Sequence, residues 1–114
     1  MVALPYAAAV VELELEPWPL DPEQVVDGAP EVRGIVLHAD DAVERGVWEH
    51  TPGVSTDVEA DELFVVISGR ATIEFEDGAV LEIGPGDVGL LPAGARTTWR
   101  VHETLRKVFQ VRRG

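Results

Sequence analysis

Glu62 stands at the head of the run Glu62-Leu-Phe-Val-Val-Ile-Ser-Gly69, a carboxylate joined to an otherwise apolar stretch. Turned into an apolar interior, its pKa would rise by desolvation, and it could act as a catalytic general base or as a ligand. An unpaired buried carboxylate is costly, so it would need a partner cation such as Arg96 or Arg100. His50 lies two residues after Trp48, so the two face the same side of a strand; directed inward, His50 could approach Glu62. Trp48, Phe64, Trp99 and Thr97 supply the aromatic walls and polar points that a small-molecule pocket needs. Any single tryptophan serves equally well as core filling. His38 and His102 fall elsewhere in the pattern, and the plain reading of all three histidines, His50 included, is as surface or hydrogen-bonded imidazoles. The acidic run Asp57-Val-Glu59-Ala-Asp61-Glu62 lacks the ligand spacing and glycine of an EF-hand loop and reads as solvated. Asp87 reads as a turn organiser. There is no Ser-His-Asp order, nucleophile elbow or phosphate-cradling glycine loop.

The surroundings of these residues are acidic. The 114-residue chain has 21 acidic and nine basic residues, a net charge of -12, which makes phosphate backbones and anionic lipid surfaces poor partners. It has no cysteine, so disulfide and thiolate chemistry are excluded. The first basic residue is Arg33, so the N-terminus does not look like a signal peptide, and no apolar run approaches the roughly 20 residues of a membrane helix. A cytoplasmic protein is the expectation.

The elements that must hold the site are short strands. Val11 to Glu16 alternates apolar and acidic residues, a period of two that predicts a half-buried strand ended by Pro17 and Pro19. Asp21-Pro22-Glu23 resembles a helix start, with room for only a short helix before Asp27-Gly28. Further strands are expected over 32–38, 43–51, 62–68, 71–76, 79–83, 88–91, 97–102 and 105–111, divided by turn residues such as Pro52-Gly53, Asp77-Gly78 and Gly84-Pro85-Gly86. Many short strands at regular spacing predict a sandwich or barrel.

Two stretches identify which barrel. Glu62 with Gly69 seven positions later, and Gly84-Pro-Gly86-Asp87-Val-Gly-Leu-Leu-Pro92-Ala-Gly94, together resemble the two signature motifs of the cupin superfamily. Gly46-Val-Trp48-Glu49-His-Thr51-Pro52-Gly53 and the segment from Trp99 to Phe109 resemble one branch of it, small single-domain cupins related to the ethanolamine-utilisation cupin and to ureidoglycine aminohydrolase. The resemblance covers residues 46–112 well and the first 45 poorly. It implies an all-β cupin or jelly-roll barrel in a single domain spanning 1–114, with an N-terminal extension over 1–31 and a barrel core over 32–112. It also implies that Glu62 faces the interior with Phe64 and Val66, and that Thr97, Trp99 and Val101 share one inward face. Leu63, Val65 and Ile67 then lie outside although they are just as apolar, so something must cover them: a second sheet, the N-terminal segment or another subunit. A homodimer is expected on that ground.

In metal-binding cupins the first motif carries two histidines separated by one residue and then the glutamate. The second carries a third histidine, three positions after the glycine of Pro-x-Gly. Here those positions fall on Ser55 and Asp57, or on Thr56 and Val58 with the spacing one shorter, and on Thr97. Glu62 is kept, Asp57 is an oxygen donor and no histidine falls in place; a rearranged site for a divalent metal would have to use Asp57, Glu62 and His50. Arg106-Lys107 matches the Arg-Lys pair of the branch. The simplest reading of Lys107 is a solvated edge charge; on an inward face it could pair with Glu62 or bind an anion. Three functions follow. The first is a barrel that binds a small polar metabolite without a tightly held metal. The second is a metal-dependent enzyme acting on a small nitrogenous metabolite. The third is a non-catalytic barrel filled by its own side chains.

Overall fold

The computed structural model describes residues 1–113. They form strands β1 (Glu16–Pro17), β2 (Val25–Asp27), β3 (Val32–Ala39), β4 (Val43–His50), β5 (Gly53–Val58), β6 (Glu62–Phe75), β7 (Val80–Ile83), β8 (Val88–Leu91) and β9 (Arg96–Arg112), with 3-10 helices at Val10–Glu12 and Pro22–Gln24. Every strand pairing is antiparallel. None of the helices described is long and apolar enough to cross a membrane.

Two long strands organise the fold. The first half of β9 pairs with β5 on one edge and with the end of β6 on the other; its second half pairs with β4 and with the start of β6. The start of β6 also holds β8, and its end holds β7. The β6–β9 ladder slips register between Val66 and Ala71, so both strands bend there and pass from one layer to the other. One layer is thus β1, β3, β4 and β8 with halves of β9 and β6. The other is β2, β5 and β7 with the remaining halves. This is the curled, two-layered all-β arrangement of a jelly roll.

Several boundaries differ from the sequence expectation. Gly69, read as a strand end, sits inside β6 at φ 88°, where a Cβ would lie 2.1 Å from the Thr104 carbonyl oxygen. It is the residue that lets the strand bend without stopping. For the same reason the two C-terminal strands expected are one, β9. Residues 11–16 are not a strand: a 3-10 turn occupies Val10–Glu12, and only Glu16 and Pro17 pair, with β3. The alternation there is nonetheless one of burial, since Leu15 is buried and its glutamate neighbours are exposed. The short helix expected after Asp21 is a single 3-10 turn, in which the Gln24 side chain accepts the Asp21 N–H at 3.0 Å.

The core lies between the layers, built on Phe64, Val66, Ala71, Ile73, Ile83, Leu91, Trp99, Val101, Leu105 and Phe109. The N-terminal extension is strapped to the outside. Arg106 reaches out of β9 to donate to the carbonyls of Val10 (2.8 Å) and Leu13 (3.2 Å) while pairing with Glu49 at 2.8 Å. Further along the extension, Trp18 lies against Gly34, where a Cβ would come within 2.2 Å of the indole.

Candidate functional site

Alternation carries Glu62, Phe64 and Val66 of β6 inward, and Leu63 outward. Lys107 shares the inward parity of Leu105 and Phe109 on β9 and is buried. Across the ladder its Nζ donates to Glu62 Oε2 at 2.6 Å, and both side chains are almost fully buried, at 5% and 9% exposure. The same ammonium lies 4.4 Å from the Trp48 ring centre, 4.6 Å from Trp99 and 4.9 Å from Phe64. Three aromatic faces and one carboxylate therefore surround a single ammonium, held by cation–π attraction and a charge-assisted hydrogen bond. This corrects the reading of Lys107 as a solvated edge charge. It also corrects the partners expected for Glu62. Arg96 and Arg100 point outward and pair at the surface with Glu76 and Glu74. Burial raises the pKa of Glu62, Lys107 opposes the rise, and neighbouring Glu59 adds to it.

Glu59, read as part of a solvated loop, is buried. Its Oε2 accepts from Thr97 Oγ1 at 2.7 Å and from Trp99 Nε1 at 2.9 Å, which fixes the indole against the interior. Asp57, one turn of the pleat before it, is exposed as a whole. Burial of its carboxyl and the charge of Glu59 nevertheless raise its pKa from 3.8 to about 6.

His50 points inward and is fully buried, its ring 5.4 Å from that of Trp48. Its Nδ1 is 2.6 Å from the Thr51 carbonyl oxygen, which can only accept, so Nδ1 carries the proton. Nε2 then accepts from Ser55 Oγ at 2.8 Å. Burial, and after it the charge of Lys107, holds the pKa of His50 below its ordinary 6.5, although the bond to Thr51 pulls the other way. Both ring nitrogens are thus engaged, Nδ1 with the turn that leaves β4 and Nε2 with β5. Of the other imidazoles, His102 is exposed and bonded to Thr72, while Nδ1 of His38 is buried without a partner.

These groups border a cavity of about 170 Å³ between the layers. Trp18, Trp48, Trp99 and Phe109 form its walls, and Glu59, Glu62, Asp57, Ser55 and Lys107 its polar points. Phe64, Thr97 and His50 are not among its lining residues, and Thr97 borders the larger depression instead. An apolar cavity of about 150 Å³ accommodates benzene, so this one suits a molecule of roughly six non-hydrogen atoms. A larger and more open depression of about 700 Å³ lies outside it, along Gln24, Asp57, Glu74, Arg96 and Arg100. The ion pairs of that depression are already made at the surface, and it offers no enclosed apolar wall. The sequence does not announce Trp18, Glu59 or Phe109 as site residues, and it marks Ser55 only as a position where a metal-binding cupin carries a histidine. Phe109 and Lys107 were accessible from the parity of β9; for Trp18 and Glu59 no local signal exists.

The residues present do not fit a divalent ion. Among the described residues no three His, Asp or Glu side chains are placed to hold one metal ion, so the rearranged set Asp57, Glu62 and His50 is not assembled as a ligand set. Glu62 is bonded to an ammonium that would repel a second cation, and His50 Nε2 is bonded to Ser55.

Residues 37–109 match the family described as EutQ-like cupin domain. The chain belongs to this EutQ-like cupin family. Its structure resembles that of the Clostridium difficile EutQ protein, at 17% identity and a TM-score of 0.67 over 82% of this chain and 79% of that one. It also resembles a protein of unknown function from Pseudomonas syringae pv. tomato, at 30% identity and a TM-score of 0.78 over 88% of this chain. The aligned part is 45% of that longer protein. A Thermotoga maritima protein aligns at 27% identity over 57% of this chain and 75% of its own, with a TM-score of 0.55. No curated protein sequence matches.

Proposed function

We propose that this EutQ-like barrel binds a small polar metabolite in the cavity between its layers, with Glu62 and Lys107 as the polar anchor. The observation that carries the reading is the buried ion pair at the wall of a partly open, aromatic-walled cavity. A barrel filled only by its own side chains would have closed that space. The metal-dependent alternative has against it the donor set just described. In this reading Glu62 holds Lys107 rather than taking protons from a substrate, and Trp48 and Trp99 are walls that also cage the ammonium.

All three tryptophans of the chain border the cavity, so intrinsic fluorescence reports on it directly. The test is a fluorescence and thermal-shift screen of small polar metabolites. A ligand at 100 times its Kd adds about 2.7 kcal/mol to stability, an easily measured shift. A hit whose binding is lost in Trp48→Leu supports the reading. A broad screen that moves neither signal sinks it.

Assembly is the second part of the proposal. Leu63, Val88 and Leu90 are 44%, 66% and 72% exposed on the outer face of β6 and β8, with Leu63 opposite Leu90. They form an uncharged face on a chain of net charge -12, the place where two copies can approach without like-charge contact. A second copy is the proposed cover.

A further inference from the structure

Lys107 is the only lysine of the chain; the other basic side chains are all arginines. The one flexible ammonium is therefore placed inside, and its surroundings are unbalanced. Three carboxyl groups, Asp57, Glu59 and Glu62, lie close enough to perturb one another, and among the described residues Lys107 is the one cation that lines the cavity with them. An ammonium has three N–H donors. Among the described residues one of them finds an oxygen, Glu62 Oε2. The others face the aromatic rings and the cavity. Ring faces attract the charge but do not take a directed bond as an oxygen does. On the other side, Glu59 uses Oε2 for both its bonds and Glu62 uses Oε2 for Lys107, so an oxygen of each is left for a donor.

A ligand that fits must meet both sides at once. It needs an acceptor oxygen for Lys107 and N–H donors for the carboxylates. It should carry no negative charge, because three carboxylates outnumber one ammonium. It should carry no positive charge at the end that meets Lys107. An amide is the simplest group with all these properties, and a compact one fits the volume of the cavity.

Resting on the cavity reading above, we propose that Lys107 is the resident cation of this barrel, standing against the glutamate where a metal-binding cupin would hold an ion, and that its unbonded N–H groups bind the carbonyl oxygen of a small uncharged amide.

The test uses the indole N–H signals of the three tryptophans in a ¹⁵N-labelled full-length chain. Propionamide, propionate and Mn²⁺ are titrated separately. Propionamide is expected to shift the Trp48 and Trp99 signals saturably, and propionate, its isosteric anion, to bind at least tenfold more weakly. Mn²⁺ at concentrations equal to the protein's should leave these signals unbroadened. Lys107→Met, checked for a dispersed spectrum, should weaken propionamide at least tenfold. Propionate binding as tightly as the amide, or no saturable shift with propionamide, overturns the amide assignment. Mn²⁺ broadening of Trp48 and Trp99 overturns the resident cation. The wild-type titrations decide even if the variant does not fold. Should a metabolite from the screen bind while propionamide does not, this inference fails and the cavity reading stands; should no screened compound bind, the cavity reading fails first.

Discussion

Replacing Lys107 by methionine keeps most of the side-chain volume and removes the charge. Glu62 would then be an unpaired carboxylate at 9% side-chain exposure. Breaking a buried pair by deleting one partner costs about 3–5 kcal/mol. Against a total stability of about 5–15 kcal/mol for a domain, that is a large fraction. The loss should depend on pH. Glu62 already has a pKa raised above its ordinary 4.5 by burial, and removing Lys107 takes away the main opposing influence. In the variant the folded state holds a proton that the unfolded state has released. Stability therefore falls as pH rises above about 4.5, by up to about 1.4 kcal/mol per pH unit. This fall is the pH-dependent part of the pair-breaking cost. Urea unfolding followed by tryptophan fluorescence at pH 5 and pH 7 measures it. Glu62→Met combined with Lys107→Met removes both charges and should recover most of the loss, to within about 2 kcal/mol of wild type. If Lys107→Met costs less than about 1 kcal/mol at pH 7, or if the double variant is no more stable than the single one, the description of this ion pair as buried and mutually dependent is refuted.

Other predictions concern the rim, the strap and the outer face. Asp57 has a folded pKa of about 6 against an ordinary 3.8, so it lowers stability as pH rises through that window. Asp57→Asn should therefore be more stable than wild type at pH 8, by about 1 kcal/mol once solvent screening at this exposed residue is allowed for; denaturant unfolding at pH 4 should show no gain. Arg106→Ala frees the carbonyls of Val10 and Leu13, and a glutamate-specific protease should cut at Glu12 to Glu16 at least fivefold faster, where an unchanged rate would show that the strap does not hold the extension. Leu90→Lys should convert a sedimenting dimer to a monomer; a wild-type protein already monomeric at tens of micromolar contradicts the proposed assembly.

Much of the fold is visible in the sequence because strand periodicity is a local property. Glu62, Phe64 and Val66 lie on one face, and Thr97, Trp99 and Val101 on another, as alternation requires. Asp77-Gly78 closes the hairpin between β6 and β7, with Gly78 at φ 97°. Where the reading went astray, a residue's local preference was overruled by tertiary structure. Gly69 resembles a strand terminus and works as a bend. Ser55, Thr56 and Asp57 look like loop residues, yet they form β5 because the first half of β9 supplies a ladder for them. The site was harder to read than the fold. Lys107 could have been placed from its parity with Leu105 and Phe109. Glu59 could not, because its burial depends on bonds to residues 38 and 40 positions away. Trp18 reaches the cavity only because the extension crosses Gly34 and packs edge-on to Phe109 at 6.4 Å.

With one lysine in the chain, the ¹⁵Nζ resonance of the ammonium is a single signal, and it tests the cation at the centre of the cavity more directly than any variant. A slowly exchanging Nζ–H signal is expected at pH 7, displaced from the free-lysine position by the ring currents of Trp48, Trp99 and Phe64 and sensitive to Glu62→Gln. A ¹⁵Nζ shift at the free-lysine position, with the N–H protons lost to fast solvent exchange at that pH, would refute a buried ammonium.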